Sequence, residues 1–183
     1  MYSKDMEDDM YKPNAIANYF INLARKNGIT DLSPMKLQKL VYYAHGWTLG
    51  TLNKPLINEQ IEAWKFGPVV PTIFHAAKEH GNNNINKPLL EFDFDADSLE
   101  FTPCKPTVDA NNKEIIELLD VIWEVYGRLP AYQLSNMTHL SGTPWDTINK
   151  KYNGEIPNNT DINTEIIKDW FEKEAERISS ESN

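Results

Sequence analysis

Apolar positions recur along the chain with two periods, and the switches between them mark out the elements. From Pro13, where a missing amide hydrogen costs nothing, Ile16, Tyr19, Phe20 and Leu23 form one stripe that Gly28 stops, the pattern of an amphipathic helix. Ser33-Pro34 repeats the start signal, and Leu37, Leu40, Val41, Ala44 and Trp47 carry the helical period toward Gly50. Over residues 60–66, Glu62, Trp64 and Phe66 alternate with Ile61, Ala63 and Lys65, the two-residue period of a strand, and Gly67-Pro68 ends it. Pro71 opens a third helix carrying Ile73, Phe74 and Ala77, with Gly81 as its left-handed stop and an exposed Asn-rich loop after it. Leu90, Phe92 and Phe94 then alternate with Glu91, Asp93 and Asp95, a half-buried strand expected to pair with the one near Trp64.

The stretch from Asp95 to Asn111, with Pro103 and Pro106, reads as irregular. The strongest helical stripe follows, with Ile115, Leu118, Leu119, Ile122 and Tyr126 closed by Gly127, and it is expected at the core. Pro130 opens a helix through Leu134 and Thr138, and Thr143-Pro144-Trp145-Asp146 supplies a capping hydroxyl, a first-turn proline and a carboxylate at the positive end of another. Ile162, Ile166, Trp170, Phe171 and Ile178 mark a final amphipathic helix before a Ser-rich terminus expected to fray. Two strands alone are marginal, so helices should cover their apolar face. The expected fold is therefore mainly α (α+β), a compact body of about six or seven helices with a small antiparallel hairpin or sheet packed on it. The expected division is an acidic extension over residues 1–12, a domain over 13–152, and a C-terminal helix within 153–183 that packs on the domain or extends from it.

Composition narrows the function classes. The 183 residues are 40% hydrophobic and 25% charged, which suits one folded domain. A net charge of -9 repels duplex phosphate, disfavours nucleic acid as a partner and matches a basic partner better. The single cysteine, Cys104, excludes an internal disulfide and a multi-cysteine zinc site, which fits a reducing compartment. The acidic start lacks the features of a secretory signal, and no apolar run is long enough to span a bilayer, so the expected location is cytoplasmic.

Candidate chemistry is sparse. His45, His75, His80 and His139 lack metal-ligating spacing, and the phosphate-cradling glycine motifs do not occur, so neither metal nor cofactor is expected. Ser135 precedes His139 by one helical turn, which lets the two side chains touch. An enzyme reading, hydrolase-like, would use His139 with Ser135 or His45, and a DNA-binding autoregulator would use the basic cluster of Lys36 and Lys39 around Gln38, otherwise read as a solvated face.

Three blocks carry a resemblance. Residues 35–47 contain Leu37, Gln38, Lys39, Leu40, Tyr42, Tyr43, Ala44 and Trp47; residues 61–71 contain Glu62, Ala63, Trp64, Gly67, Pro68, Val69 and Pro71; Tyr126-Gly127 leads to Leu134, Ser135, Thr138 and His139, then Pro144-Trp145. In this order they resemble the signature of the SocA-like Panacea antitoxin domain family, which includes phage-associated GepA-like proteins. The resemblance covers about residues 13–150. It implies a non-enzymatic antitoxin, often in prophage settings, that neutralises a cognate toxin through protein contact, with delivery to a ClpXP-type protease as one mode. Each block also has a scaffold reading: turns at Gly67-Pro68, helix starts at Pro71 and Pro144, core filling by Leu37 and Trp64, and a polar network through Tyr42, Tyr43, Trp64, His139 and Trp145. Lys36, Lys39, Tyr43, Lys65 and His139 are the expected surface residues for partner contact.

Overall fold

The computed structural model describes residues 10–97 and 99–181. Residues 1–9, most of the acidic extension, lie outside the described residues. Among the described residues the chain forms seven α-helices and five short strands. Helix α1 (Pro13–Lys26) leads into the long α2 (Pro34–Leu52), whose start Ser33 caps by accepting from the Lys36 amide. Strands β1 (Ile61–Trp64) and β2 (Gly67–Val69) form a hairpin, followed by α3 (Pro71–Ala77) and a 3-10 turn at Lys78–His80. A second hairpin, β3 (Glu91–Asp95) and β4 (Glu100–Cys104), precedes α4 (Lys113–Tyr126), α5 (Ala131–Thr138) and α6 (Pro144–Lys151). The two-residue β5 (Asp161–Ile162) and α7 (Thr164–Glu181) complete the described chain. The mainly helical body with small antiparallel sheets agrees with the sequence pattern.

Helix α2 occupies the centre, with α1, α4, α5 and α7 packed around it. Its residues from Lys36 to Gly46 are buried without a break, so it has no solvated face over that stretch. The core is continuous from Ile16 and Phe20 on α1 through Leu37, Leu40 and Val41 to Leu119 and Ile122 on α4, Leu134 on α5, and Ile167 and Phe171 on α7. The α4 stripe does pack inward, but only along one side, leaving Val121 and Val125 exposed.

The pairing of strands differs from expectation. β1 pairs with β2 and, on its other side, with β5, so Gly67-Pro68 begins a strand across a two-residue turn at Lys65-Phe66 instead of merely ending one. β3 pairs with β4, which runs straight through Pro103 in the stretch expected to be irregular. The β1–β2 and β3–β4 hairpins favour the nearest partner in sequence, where loop closure is cheapest, whereas β5 joins β1 from far along the chain. Phe92 and Phe94, expected under helices, are exposed.

Helix α2 also runs past Gly50 to Leu52, ending at a left-handed Asn53 whose amide donates to the Leu49 carbonyl. Gly46 and Gly50, one turn apart, serve packing instead. A Cβ at Gly46 would clash with the edge of the Phe171 ring, and one at Gly50 would stand 2.6 Å from the Phe171 carbonyl carbon. Their bare backbone lets α7 lie directly on α2, with Phe171 wedged edge-on among Tyr42, Tyr43 and Trp47. The serine-rich end stays helical through Ser179 and Ser180, supported by Arg177 bonded to Glu174 and Glu181.

Gly50→Ala should therefore lower stability by about 1–3 kcal/mol through overpacking, even though alanine favours helix by roughly 1 kcal/mol. Urea titration of the two proteins measures the difference; equal or greater stability in the variant would contradict the close approach.

Candidate functional site

The motif residues converge where the middle of α2 meets the β1–β2 turn and the α5–α6 corner. Gln38 meets Val70 with both ends of its amide: Nε2 donates to the Val70 carbonyl at 3.0 Å, and Oε1 accepts the Val70 amide at 2.9 Å. One residue on, Lys39 Nζ donates to the carbonyls of Phe66 (2.8 Å) and Pro68 (3.0 Å), on either side of Gly67. Gly67 has φ +99°, and a Cβ there would stand 2.6 Å from Thr138 Oγ1 and 2.7 Å from Lys39 Nζ. Turn conformation and crowding thus both demand glycine.

From the other side, Ser135 Oγ donates to the same Phe66 carbonyl at 3.2 Å. The Ser135 carbonyl in turn accepts from Thr138 Oγ1 and from His139 Nδ1, each at 2.7 Å. Thr143 caps α6 and reaches back to the Thr138 carbonyl at 2.7 Å. Trp145 Nε1 donates to the Trp64 carbonyl at 2.7 Å, with its ring centred 4.0 Å from that of His139. Trp64 Nε1 bonds Glu62 at 2.6 Å. Trp64, Lys65 and Trp145 line a surface cleft completed by Asn149 and the loop 154–159.

A second part of the motif forms an aromatic stack. Tyr43 lies parallel to Tyr126 with ring centres 4.4 Å apart, and its hydroxyl donates to the Leu134 carbonyl at 3.3 Å. Trp47 Nε1 donates to the Tyr126 hydroxyl at 3.0 Å. Gly127 leaves room for the Trp123 carbonyl and ring, which a Cβ would strike. Leu37 and Tyr42 fill the core, while Pro71 and Pro144 start their helices.

The expected surface set divides accordingly. Lys36, Lys39 and Tyr43 are buried, contrary to the reading of a solvated basic face; Lys65 is exposed and His139 half-buried. Lys36 is spent on Asp31 at 2.8 Å, holding the loop before α2. The basic cluster invoked for phosphate is therefore not presented to solvent. The Ser135–His139 pair is not assembled for catalysis either: His139 Nδ1 faces the serine carbonyl, and the serine hydroxyl is turned to Phe66. His45 is buried with its Nδ1 accepting the Ile57 amide at 3.4 Å, and desolvation pulls it down to about 4. Sequence reasoning missed Asn18, whose amide bonds Leu89 and Pro106 and so ties both ends of the β3–β4 segment to α1. Its signal was a row of asparagines, Asn14, Asn18 and Asn22, spaced one turn apart along the helix.

Burial without a carboxylate pulls the Lys39 amine down to about 7. A neutral amine still has two N–H donors, one for each carbonyl. The unfolded chain binds the proton up to about pH 10.4, so between those limits the unfolded state holds more protons and stability rises with pH. The gain from pH 7 to pH 9.5 should be on the order of 3 kcal/mol. Lys39→Met should be less stable, because two carbonyls lose their donor, and should show that rise abolished. Denaturant titrations across the pH series measure both slopes; an unchanged slope in the variant would assign the effect elsewhere.

The comparisons with known proteins meet this geometry. The family described as "Antitoxin SocA-like, Panacea domain" matches residues 37–146, which take in most of the central helix, the β1–β2 turn and the α5–α6 corner. The chain is similar to Antitoxin SocA of Caulobacter vibrioides (strain NA1000 / CB15N), with 32% identity over 170 residues, covering 90% of this chain and 85% of that protein. No solved structure matches. Among the described residues, no helix is long and apolar enough to cross a membrane. Match and likeness run through the buried motif cluster and beyond it on both sides, and the chain belongs to the SocA-like Panacea antitoxin family.

Proposed function

We propose that the chain is the antitoxin of a toxin–antitoxin pair, acting in the cytoplasm by binding its cognate toxin directly. The observation that carries this reading is the likeness to Antitoxin SocA along 90% of the chain, which takes in scaffold and surface alike. The use made of the motif's polar groups supports binding over turnover. Gln38, Lys39, Ser135 and His139 are all engaged with backbone groups that hold the β1–β2 turn and the α5–α6 corner. Groups committed in this way build a rigid platform, and a rigid platform binds with little ordering cost.

Lys65, with its ammonium 5.7 Å from the centre of the exposed Phe66 ring, and His139 beside Trp145 remain accessible for contact on the cleft side. Blocking the toxin and handing it to a ClpXP-type protease both require the complex. The toxin's half-life in cells with and without that protease separates them.

Co-expression with the product of the adjacent open reading frame tests the reading. Growth should be restored, and the two chains should co-purify in fixed stoichiometry. Protection by amounts far below the toxin's concentration, without a stable complex, would point to turnover and overturn it.

A further inference from the structure

We propose that the β3–β4 hairpin is the surface that docks the toxin, and that its occupant is a basic segment whose apolar side chains are framed by lysine or arginine. This rests on the antitoxin reading above. The hairpin is inverted relative to an ordinary sheet. Its pleat puts Glu91, Asp93 and Asp95 with Glu100, Thr102 and Cys104 on one face, and Phe92 and Phe94 with Phe101 and Pro103 on the other. Only the foot of the acidic face meets the body: Glu91 bonds Lys12 at 2.9 Å and Asn14 at 3.1 Å, and Cys104 is half-buried beside Tyr11, Lys12 and Ala15, while Asp93, Asp95 and Glu100 farther along stay exposed at the rim. The aromatic face looks outward, with Phe92 66%, Phe94 54% and Phe101 68% exposed. At the tip Leu99 is 74% exposed and holds a left-handed φ of 57°, a conformation that costs a leucine strain.

Such a ribbon would be marginal alone. Here its feet are clamped. The Asn18 amide nitrogen donates to the carbonyls of Leu89 and Pro106, both at 3.0 Å, and its oxygen accepts the Leu89 amide at 2.8 Å. The rings of Phe94 and Phe101 meet across the strands at 5.1 Å. Aromatic side chains presented on an anchored backbone are the makings of an interface centre, which is enriched in such residues.

Charge selects the occupant. Between Lys87 and Lys105 the chain carries five carboxylates, Glu91, Asp93, Asp95, Asp97 and Glu100, and no basic residue. Lys12 pairs with Glu91 at the foot. A second copy would set this acidic fringe against its own image, which like-charge repulsion opposes. A basic partner meets complementary potential around an apolar centre.

The test uses the full chain with the adjacent-gene product as probe, and two variants. Phe92→Ser/Phe94→Ser/Phe101→Ser removes the aromatic surface; Asp97→Lys/Glu100→Lys reverses part of the fringe and keeps the rings. Circular dichroism and thermal unfolding confirm that each is folded, and if the triple variant is not, the charge variant decides. The parent should protect cells and bind the probe. The triple variant should bind at least about 30-fold more weakly, and the charge variant about 10-fold more weakly at low salt, with the gap closing as salt is raised. Folded variants that bind like the parent would overturn the docking assignment and leave the antitoxin reading standing. A parent that neither protects nor binds would overturn both. Sedimentation of the parent alone should show a monomer; a dimer that the triple variant dissolves would give this face to a second copy and overturn the assignment.

Discussion

Enclosing α2 on all sides sets the terms for the rest of the molecule. A helix at the centre of a body cannot turn its polar residues to water, and each one left without a partner would cost on the order of 1–3 kcal/mol. Lys36, Gln38, Lys39, His45 and Thr48 are all buried on it. Each is met by an oxygen or an amide from its surroundings: Asp31 in the preceding loop, Val70, the carbonyls beside Gly67, the Ile57 amide, and the helix's own Ala44 carbonyl. The connecting segments are consequently tied to the central helix, because they supply the partners that α2 requires.

Much of the helical framework was legible because its signals are local. Ser33-Pro34 and Thr143-Pro144 place a capping oxygen and a preset backbone angle side by side, and the structure starts helices at both. The family blocks were legible as a set of residues. Their roles were not, because a lysine on a helix is ordinarily solvated. A clue lay in the neighbours: Leu37, Leu40, Val41, Tyr42, Tyr43 and Ala44 extend around the helix and leave little arc for water. Strand pairing was the least accessible. The two residues of β5 are too short to show a period, and the alternation over 90–95 reports that one face is apolar without saying which way it turns.

The placement of charge follows the same division between inside and outside. Within the body, lysine amines are met by carbonyls or by one exposed carboxylate, as with Lys39 and Lys36. The buried Tyr42 and Tyr43 are held well above the usual phenol range by desolvation, so the body stays uncharged there at ordinary pH. The acidic excess is left to the periphery, where it governs encounter with other molecules more than it governs folding.

The bare backbone at Gly46 and Gly50 bears on the order in which the molecule can be completed. During synthesis α2 emerges early, yet the ring that fills the space over those glycines belongs to α7, which leaves the ribosome only after every other described helix. Until then Tyr42, Tyr43 and Trp47 have an open flank, a sticky seam that holding factors or proteases recognise. A chain cut or stalled ahead of residue 164 lacks the closing helix altogether.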